Sequence, residues 1–345
     1  MAPPVALTTR PLGKNGPQVP RLGLGLMSLS VAYGKARSDE ERLAFLTKAW
    51  EMGETFWDTA HAYGDSEALL GKWFAANPEK RQDIFLSTKF GLHFAPGKGV
   101  TIDSSPENCR RCIEQTLERL GVPYVDLYYV HRLDCKTPVE ATMRELSKLV
   151  EEGKVKYLGL SEPSADSLRR AHAIHPITAV QNEYSAFALD IEDPEIKILD
   201  TARELGIATV AYSPLGRGIL GGKIRELKDV QGEGDMRNIG GLPWFEEENL
   251  KKNIALVDRI AEVGKNKGIT TAQTALAWIL AQGDDVFAIP GTTSEERLRE
   301  NVGAIDVTLG AEEDREIREL AKEVAGLRVM ESHSKYNFAD TPREE

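Results

Sequence analysis

Short apolar runs alternate with amphipathic stretches along most of the chain. The apolar runs are rich in β-branched and aromatic residues, which is typical of strands buried in a parallel sheet. Eight such runs follow residue 20: RLGLGL from residue 21, TFWDT from 55, IFLSTKF from 84, VDLYYVH from 125, VKYLGLS from 155, TAVQNEY from 178, IATVAYS from 207 and VFAIPG from 286. The stretches between them have helical periodicity, and several end in glycine, as helices often do. They include DEERLAFLTKAWEMG, SEALLGKWFAA, PVEATMRELSKLVEEGK and PEIKILDTARELG.

The number and order of these elements predict the fold class. Strands that alternate with helices form a parallel sheet, and eight of them close a barrel. We therefore expect an α/β protein, a (β/α)8 TIM barrel in which residues 1–345 form a single domain, because no linker or break in composition divides the chain. Three segments interrupt the alternation: an N-terminal hairpin over residues 1–18 with the turn GKNG, a long glycine-rich loop after the seventh strand over residues 216–252, and an extra charged helix with an aromatic tail over residues 308–345.

Charge and composition narrow the functional classes. The net charge of −11 argues against binding to nucleic acid or to an acidic membrane surface, because both select basic proteins. No run approaches the roughly 18 apolar residues of a membrane span, and the start MAPPVALTTRPLG does not resemble a secretory signal. The three cysteines are too few for a disulfide framework. Cys109 and Cys112 share one face of a predicted helix and are interpreted as structural thiols, so the cytoplasm is the expected compartment.

Polar side chains stand at the ends of three neighbouring predicted strands. Asp58 ends the second strand, Lys89 the third and His131 the fourth, and Tyr63 lies in the loop after the second. Each residue alone is weak evidence, since a single lysine or histidine there is more often a surface or packing residue. In a barrel, however, the carboxyl ends of the strands meet on the face that carries the active site. The coincidence therefore predicts a catalytic group.

Seven segments in chain order resemble the successive signatures of the aldo-keto reductase superfamily. They are WDTAHAYGDSEALLG, STKFG, YYVHR, LGLSE, VQNEYS, AYSPLGRGILGGK and IPGTTSEERLREN, within a match that spans roughly residues 10 to 305. The chain is most similar to the branch that contains channel β-subunit-like, pyridoxal-reductase-like and fungal reductases. The resemblance implies a barrel that binds NADPH without a Rossmann domain and reduces an aldehyde or ketone to an alcohol.

Tyr63 is the general acid that this resemblance implies. A phenol has an unperturbed pKa of about 10, so it keeps its proton at neutral pH and can donate it to a carbonyl oxygen that gains negative charge. A nearby ammonium favours the phenolate, so Lys89 is expected to bring the pKa of Tyr63 toward working pH. Asp58 would keep Lys89 charged and oriented, and His131 would hold the carbonyl oxygen. The expected catalytic residues are Tyr63, Asp58, Lys89 and His131.

Two segments late in the chain are expected to bind phosphate. GRGILG, from Gly216 to Gly221, matches the G-x-G-x-x-G pattern of Rossmann folds, but it follows the seventh strand rather than the first. Loops after strands seven and eight of a barrel often bind phosphate through backbone N–H groups. After the eighth strand, Thr293-x-x-Glu296 is interpreted as a capping box that opens a helix. Arg297 in the first turn is either an ordinary exposed arginine or a ligand of a 2′-phosphate. The resemblance favours the second interpretation, and with it NADPH over NADH.

The resemblance also implies a wider set of cofactor-binding residues. Ser161 and Gln181 would bind the nicotinamide carboxamide, and Tyr212 would stack on the ring. Glu162 stands where the family often has Asn, and because an ionised Glu only accepts hydrogen bonds, it is assigned to the carboxamide NH2. The whole set is Met27, Asp58, Ser161, Glu162, Gln181, Tyr212, Ser213, Pro214, Leu215, Arg217, Gly218, Gly291, Thr293, Arg297 and Asn301.

Aromatic residues in the loops are candidates for the substrate pocket, although loop aromatics equally often serve packing. The expected substrate-facing residues are His131, Tyr63, Phe90, Phe94 and Trp244, with Met27 and Tyr33 as comparable candidates. The expected partner is a small-molecule carbonyl compound, and no particular protein partner is indicated.

Two alternative functions remain open at this point. The first is an NADP(H)-binding regulatory subunit of a membrane channel or other complex, because channel-associated relatives share the barrel and the motifs. The second is a metal-dependent barrel hydrolase that uses Asp58, His61, His93 and His131 as ligands. These residues lack the close H-x-H or H-E-x-x-H spacing of many metal sites, so no metal is expected.

Overall fold

The computed structural model of the protein describes residues 5–95, 99–238 and 242–344. Its strands are β1 Thr9–Pro11, β2 Gln18–Pro20, β3 Leu24–Gly25, β4 Phe56–Asp58, β5 Phe85–Phe90, β6 Leu92–Ala95, β7 Gly99–Ile102, β8 Val125–Val130, β9 Val155–Ser161, β10 Ala179–Glu183, β11 Ala208–Tyr212 and β12 Val286–Ala288. Its α-helices are α1 Met27–Ser30, α2 Asp39–Glu51, α3 Ser66–Ala76, α4 Pro106–Leu120, α5 Val139–Glu151, α6 Ala165–Ile174, α7 Ile198–Leu205, α8 Glu247–Lys265, α9 Thr271–Leu280, α10 Glu295–Val302 and α11 Ala311–Ala321. Short 3-10 helices span Pro78–Asp83, Asp190–Glu192, Gly216–Gly221, Leu227–Val230, Met236–Asn238, Pro243–Phe245, Gly303–Asp306 and Glu331–Tyr336.

Eight parallel strands form the barrel, in the order β3-β4-β5-β8-β9-β10-β11-β12. The first and last of them are linked by parallel bridges from Leu22 to Ala288 and from Gly25 to Gly291, so the sheet closes on itself. The closure requires glycine, because a Cβ atom on Gly25 would lie 2.7 Å from the carbonyl oxygen of Ile289. The predicted (β/α)8 barrel is confirmed, and each of the eight predicted apolar runs contains one of these strands.

A hairpin precedes the barrel. Strand β1 pairs antiparallel with β2, and Thr9 stands opposite Pro20, so the hairpin extends two residues beyond the predicted boundary at residue 18. The side chains of Leu12 and Val19 are buried in one cluster with Phe56 and Leu127, which belong to barrel strands. The hairpin therefore covers the amino-terminal end of the barrel and leaves the opposite end for the site.

Helix ends follow their local chemistry. Ser38 and Glu41 form a capping box at the start of α2, and α4 begins after Ser105 and ends at Gly121 in the left-handed conformation. The predicted helix around PEIKILDTARELG is shorter than its pattern. It begins only at Ile198, because Lys197 has a φ of 58°.

The two cysteines of the C-x-x-C pattern lie in α4, where both are buried free thiols. Burial raises the pKa of Cys109 and raises that of Cys112 to about 11. Neither thiol is therefore ionised at neutral pH, which agrees with a structural role.

Two insertions and the C-terminal segment surround the carboxyl end of the barrel. After β5, strands β6 and β7 pair antiparallel as a second hairpin, which the pattern of the sequence did not predict. The predicted insertion 216–252 consists, in its described part, of 3-10 turns, and α8 already begins at Glu247. This insertion crosses to the loop after β3, where the backbone N–H of Met236 donates to Ala32 O at 2.7 Å. The C-terminal segment begins with α11, the extra helix that was expected within residues 308–345.

None of the helices in the described ranges is both long and apolar enough to cross a membrane.

Candidate active site

A cavity of about 410 Å³ opens at the carboxyl end of the barrel. Most residues expected from the sequence to form the site line it: Met27, Asp58, Tyr63, Phe94, His131, Ser161, Gln181, Tyr212, Ser213, Pro214, Leu215, Arg217, Gly218, Gly291, Thr293 and Arg297. Five others do not line it: Lys89, Phe90, Glu162, Trp244 and Asn301. The tertiary structure therefore brings together residues from loops that are far apart in the sequence.

A buried ion pair forms the floor of the cavity. Parallel pairing places Asp58 of β4 beside Ser87 of β5, and Lys89 is two residues further along. The Lys89 ammonium donates to Asp58 Oδ1 and to Thr59 O, the latter at 2.8 Å. Asp58 Oδ2 accepts from Ser87 Oγ at 2.7 Å and from Gln181 Nε2 at 2.9 Å. Both charges are thus paired and hydrogen-bonded, as buried charges must be.

Tyr63 lies above this pair. Lys89 Nζ is 5.0 Å from the centroid of the Tyr63 ring. Burial raises the pKa of the Tyr63 phenol, although the nearby Lys89 acts in the opposite direction. Burial also opposes the charge on Lys89, but Asp58 and Tyr63 outweigh that effect and raise its pKa. The phenol is therefore protonated and the amine charged at neutral pH, while the expected net lowering of the Tyr63 pKa does not occur.

His131 packs edge-on against Tyr63, with ring centroids 5.7 Å apart. Burial, together with the charges of Lys89 and Arg132, holds its pKa well below the usual range. The imidazole is therefore neutral, and one of its nitrogens carries a proton that it can donate. Its Nδ1 atom is buried and has no hydrogen-bond partner among the residues that the structure describes.

Ser161, Gln181 and Tyr212 lie side by side at the ends of three adjacent strands, because Gln181 pairs with Ser161 across β9 and β10, and β11 follows. Arg132, which was not among the residues expected to form the site, connects Ser161 with Tyr212. Its Nη1 donates to Ser161 Oγ at 2.9 Å, and its Nη2 donates to the Tyr212 hydroxyl at 3.2 Å. In the sequence, only its position directly after His131 indicated that Arg132 could belong to the site.

Glu162 faces away from the cavity. Its carboxylate accepts from both terminal nitrogens of Arg328, at 3.0 and 2.9 Å, and is completely buried. Burial opposes its ionisation, but Arg328 outweighs this effect and lowers its pKa. The assignment of Glu162 to the nicotinamide carboxamide is therefore not retained, because an arginine that is distant in sequence occupies its carboxylate.

The end of the cavity around Arg297 fits an anionic group. Arg297 lines the cavity, and its side chain has no ion-pair or hydrogen-bond partner among the described residues. Ser28 belongs to the cavity lining as well, and its Oγ is buried with no hydrogen-bond partner in the described part of the chain. Gly218 has a φ of 96°, a conformation that favours glycine in the loop after β11. These donors match the chemistry of a phosphorylated dinucleotide.

Two details of this region differ from the sequence analysis. Helix α10 is capped by Ser294, whose Oγ accepts from Arg297 N at 3.4 Å, and not by Thr293, so the capping box with Glu296 is wrong. Thr293 is free to line the cavity instead. Asn301 is buried within α10 and does not reach the cavity lining. Periodicity could not resolve the cap, since both residues are suitable cap residues.

Two predicted substrate aromatics belong to the core. Phe90 is completely buried and stacks on Tyr128 with ring centroids 5.2 Å apart. Trp244 packs edge-on against Phe187 at 6.0 Å. Phe94, by contrast, lines the cavity and is 61% exposed. The structure adds further lining residues at the mouth that the sequence did not distinguish from packing residues: Leu92, Met236, Arg237 and Val329, beside the earlier candidate Tyr33.

The metal-site alternative finds no support in the geometry. Within the described ranges, no group of three or more His, Cys, Asp or Glu side chains is arranged to hold a metal ion. His61 Nε2 lies 3.1 Å from Gln115 Oε1, and His93 Nε2 lies 3.2 Å from Asn108 Nδ2. Both imidazoles therefore have amide partners outside the cavity lining.

The sequence and the fold match known proteins. The family model described as "Aldo/keto reductase family" matches residues 21–322. Aldo-keto reductase str7 of Strobilurus tenacellus is 48% identical over 92% of this chain and 93% of its own. Aldo-keto reductase yakc (NADP(+)) of Schizosaccharomyces pombe is 42% identical over 98% and 99%. The structure of the glycerol dehydrogenase AKR11B4 from Gluconobacter oxydans superimposes with a TM-score of 0.79 at 26% identity, over 98% of each chain. The chain therefore belongs to the aldo/keto reductase family and is an oxidoreductase that reduces carbonyl groups with NADPH, as members of that family do.

Proposed function

We propose that this protein reduces a small aldehyde or ketone to the alcohol with Tyr63 as the general acid. The observation that carries the assignment is the buried Lys89–Asp58 ion pair beneath the Tyr63 phenol. NADPH, when bound, supplies a hydride to the carbonyl carbon. The side chains of the protein supply the proton, the electrostatic stabilisation and the orientation.

The proton moves from the Tyr63 hydroxyl to the carbonyl oxygen as that oxygen gains negative charge. Because burial raises the pKa of Tyr63, the phenol is present in its protonated form before the reaction. The phenolate left behind is stabilised by the Lys89 ammonium, which Asp58 keeps charged. Water then returns a proton to Tyr63, so one proton and one hydride are consumed for each alcohol formed.

His131 orients the substrate. A neutral imidazole donates a single N–H hydrogen bond, and the carbonyl oxygen between His131 and Tyr63 would accept it. Because its pKa is low, His131 is neutral at neutral pH, and a neutral imidazole is too weak an acid to replace Tyr63 as the proton source. Hydrogen bonds from both donors would hold the carbonyl oxygen in one orientation, which lowers the entropic cost of the reaction.

The residues proposed to hold the cofactor follow the cavity from end to end. Ser161 and Gln181 would bind the carboxamide, and Tyr212 would lie against the nicotinamide ring. The backbone around Gly218 would hold the pyrophosphate, and Arg297 the 2′-phosphate. In this order the nicotinamide ring would lie beside Tyr63 and His131, where the carbonyl group would react.

The substrate that fits the mouth is a carbonyl compound with an apolar body. Leu92, Phe94, Met236 and Val329 contribute apolar surface there. The guanidinium of Arg237 is already paired with Asp235, so it is not available to a substrate carboxylate. The compartment we propose is the cytoplasm, since sparse, unpaired thiols suit a reducing environment.

The test is a screen of aromatic and aliphatic aldehydes and ketones, monitored by NADPH absorbance. We expect turnover with neutral apolar aldehydes and weaker turnover with their carboxylated analogues. Tight NADPH binding without turnover of any compound would instead favour a cofactor-binding regulatory subunit. Hydrolysis that depends on added metal would favour the hydrolase.

A further inference from the structure

Glu162 is held at the end of β9 in a conformation that turns its side chain out of the cavity. Its φ is 54°, a left-handed value that is uncommon for a residue with a side chain. Its backbone N–H donates to Gln181 O at 3.1 Å, and its carbonyl accepts from Ala339 N at 2.9 Å. The backbone is therefore fixed on both sides, by the barrel and by the C-terminal segment.

The carboxylate of Glu162 is fully engaged. Besides the two bonds from Arg328, Oε1 accepts from the Tyr212 hydroxyl at 3.0 Å and from Glu183 N at 3.0 Å. Three of the four donors bond to Oε1, and the fourth, Arg328 Nη2, bonds to Oε2. The carboxylate can therefore move only if several hydrogen bonds break together.

Arg328 belongs to the C-terminal segment between α11 and the 3-10 helix Glu331–Tyr336. It is 7% exposed, and it also contacts Glu183 at 3.4 Å. Glu183 in turn accepts from Arg217 at 3.1 Å. Arg328 also lies 3.6 Å from the partly exposed Asp190. We call Arg217, Glu183, Arg328 and Glu162, which are linked by these ion pairs, the buried charge network.

The network ends on Tyr212, which lines the cavity. The Tyr212 hydroxyl donates to Glu162 and accepts from Arg132, so two neighbours determine the position of its oxygen. Because the Tyr212 side chain is attached to the backbone at one end and hydrogen-bonded at its oxygen at the other, the long axis of its ring is fixed. The position of the ring therefore depends on Glu162, and the position of Glu162 depends on Arg328.

We propose that Arg328 is a positioning residue for the nicotinamide end of the site, acting through Glu162 on the ring of Tyr212. The inference rests on the proposed placement of the nicotinamide against Tyr212. The C-terminal segment then contributes to cofactor binding without touching the cofactor. Arg328 is not a catalytic residue, since it does not line the cavity.

A double-mutant cycle on NADPH affinity tests the proposal, with Arg328→Lys and Tyr212→Phe as the two changes. Arg328→Lys keeps the buried charge balance and removes only the forked geometry, so it is preferred to an uncharged replacement. Each single variant should weaken NADPH binding about two- to tenfold, the scale of one net hydrogen bond. The double variant should bind NADPH no more weakly than the single variant with the lower affinity, because both changes remove the same constraint on the Tyr212 ring. Dissociation constants come from quenching of tryptophan fluorescence.

Arg318→Lys is the matched control. Arg318 is also a part-buried arginine of the C-terminal region, and it is paired with Glu192 at 2.6 Å outside the cavity lining. It should change thermal stability without changing NADPH affinity. If Arg328→Lys folds poorly, Glu162→Asp replaces it in the cycle. This variant keeps the negative charge, but its side chain is shorter, so the carboxylate lies farther from Tyr212.

The outcomes separate this inference from the proposed function. Additive effects in the cycle, or unchanged NADPH affinity in Arg328→Lys despite a lower Tm, would overturn the positioning role alone. An equal loss of affinity in Arg318→Lys would overturn it too, since general destabilisation would then explain the effect. Failure of the wild-type protein to bind NADPH would overturn both the proposed function and this inference.

Discussion

The ammonium of Lys89 lies 5.0 Å from the centroid of the Tyr63 ring and forms a buried ion pair with Asp58. Lys89 is 0% exposed and Asp58 2% exposed, so solvent does not screen the pair. In such surroundings a fixed positive charge acts strongly on a nearby phenolate. In the proposed mechanism, this arrangement would link the proton transfer from Tyr63 to two residues that need not touch the substrate.

Tyr63→Phe should lower kcat by about 10²–10⁴-fold, because general acid catalysis contributes on that scale. NADPH affinity should stay within a few-fold of wild type, since the ring still packs against His131. Steady-state kinetics and fluorescence titration measure the two quantities. Tyr157→Phe is the control: Tyr157 packs against Phe85 in the barrel away from the cavity lining, and its loss of a hydroxyl should leave kcat unchanged. Wild-type turnover in Tyr63→Phe would remove Tyr63 as the acid.

Lys89→Met should slow turnover and raise the pKa of Tyr63 further, because Lys89 is the main group that lowers it. The pH dependence of kcat should therefore show the Tyr63 ionisation at higher pH than in the wild type. The variant also leaves Asp58 buried without its cation, which costs stability. Adding Asp58→Asn should restore part of the Tm but none of the rate. An unchanged rate and pH profile would make Lys89 a bystander.

Arg297→Ala should weaken NADPH binding by roughly ten- to a hundredfold and leave NADH binding nearly unchanged. A charge-assisted contact to the 2′-phosphate is worth about 1.5–3 kcal/mol, and NADH lacks that phosphate. Titration of both cofactors by tryptophan fluorescence measures the change in preference. Arg299→Ala is the matched control, since Arg299 lies in the same helix but pairs with Glu295 at 3.1 Å outside the cavity lining. Equal losses for both cofactors in Arg297→Ala would contradict the phosphate assignment.

Glu54→Gln should stabilise the protein at high pH and have little effect at low pH. Burial raises the pKa of Glu54 to about 8, so the folded protein holds this proton where the unfolded chain has lost it. Stability therefore falls as pH rises from the unfolded pKa of about 4.3 toward the folded value. The gain from Glu54→Gln should reach the order of 2–4 kcal/mol near pH 8 and be small near pH 5. Urea unfolding at both pH values measures it.

Glu118→Gln, at an exposed position in α4, provides the control for this experiment. Its effect should be small and similar at both pH values, because an exposed carboxyl is solvated in the folded and unfolded states alike. A Glu54→Gln variant whose stability did not gain with rising pH would show that Glu54 is ionised in the folded protein.

Much of the architecture was predictable because its signals are local. Each barrel strand is a short apolar run, and the alternation with helices leaves few topologies for eight such runs. The proximity of the proposed catalytic residues was predictable for a related reason: Asp58, Lys89 and His131 lie at the ends of neighbouring strands, and those ends converge on one face. The resemblance to a family added Tyr63 and the order of the cofactor-binding segments.

Other features depended on which way a side chain points at a known position. Phe90 follows directly after Lys89, yet it packs on Tyr128 in the core. Trp244 lies in a loop but is buried beside Phe187. The sequence shows that such residues are aromatic, while their direction follows from packing around them. The cap of α10 was decided similarly, since Thr293 and Ser294 have the same local propensity.

Glu162 separates most clearly what the sequence determined from what only the tertiary structure decided. The sequence alone placed an acidic residue at the end of the fifth barrel strand, because strand position follows from the local apolar pattern. Its direction depends on a left-handed backbone and on Arg328, which is 166 positions later in the chain. A buried carboxylate turns toward the cation that compensates its charge. Only folding brings that cation to the strand end, so only the tertiary structure could show that the Glu162 carboxylate accepts from Tyr212 and is not part of the cavity lining.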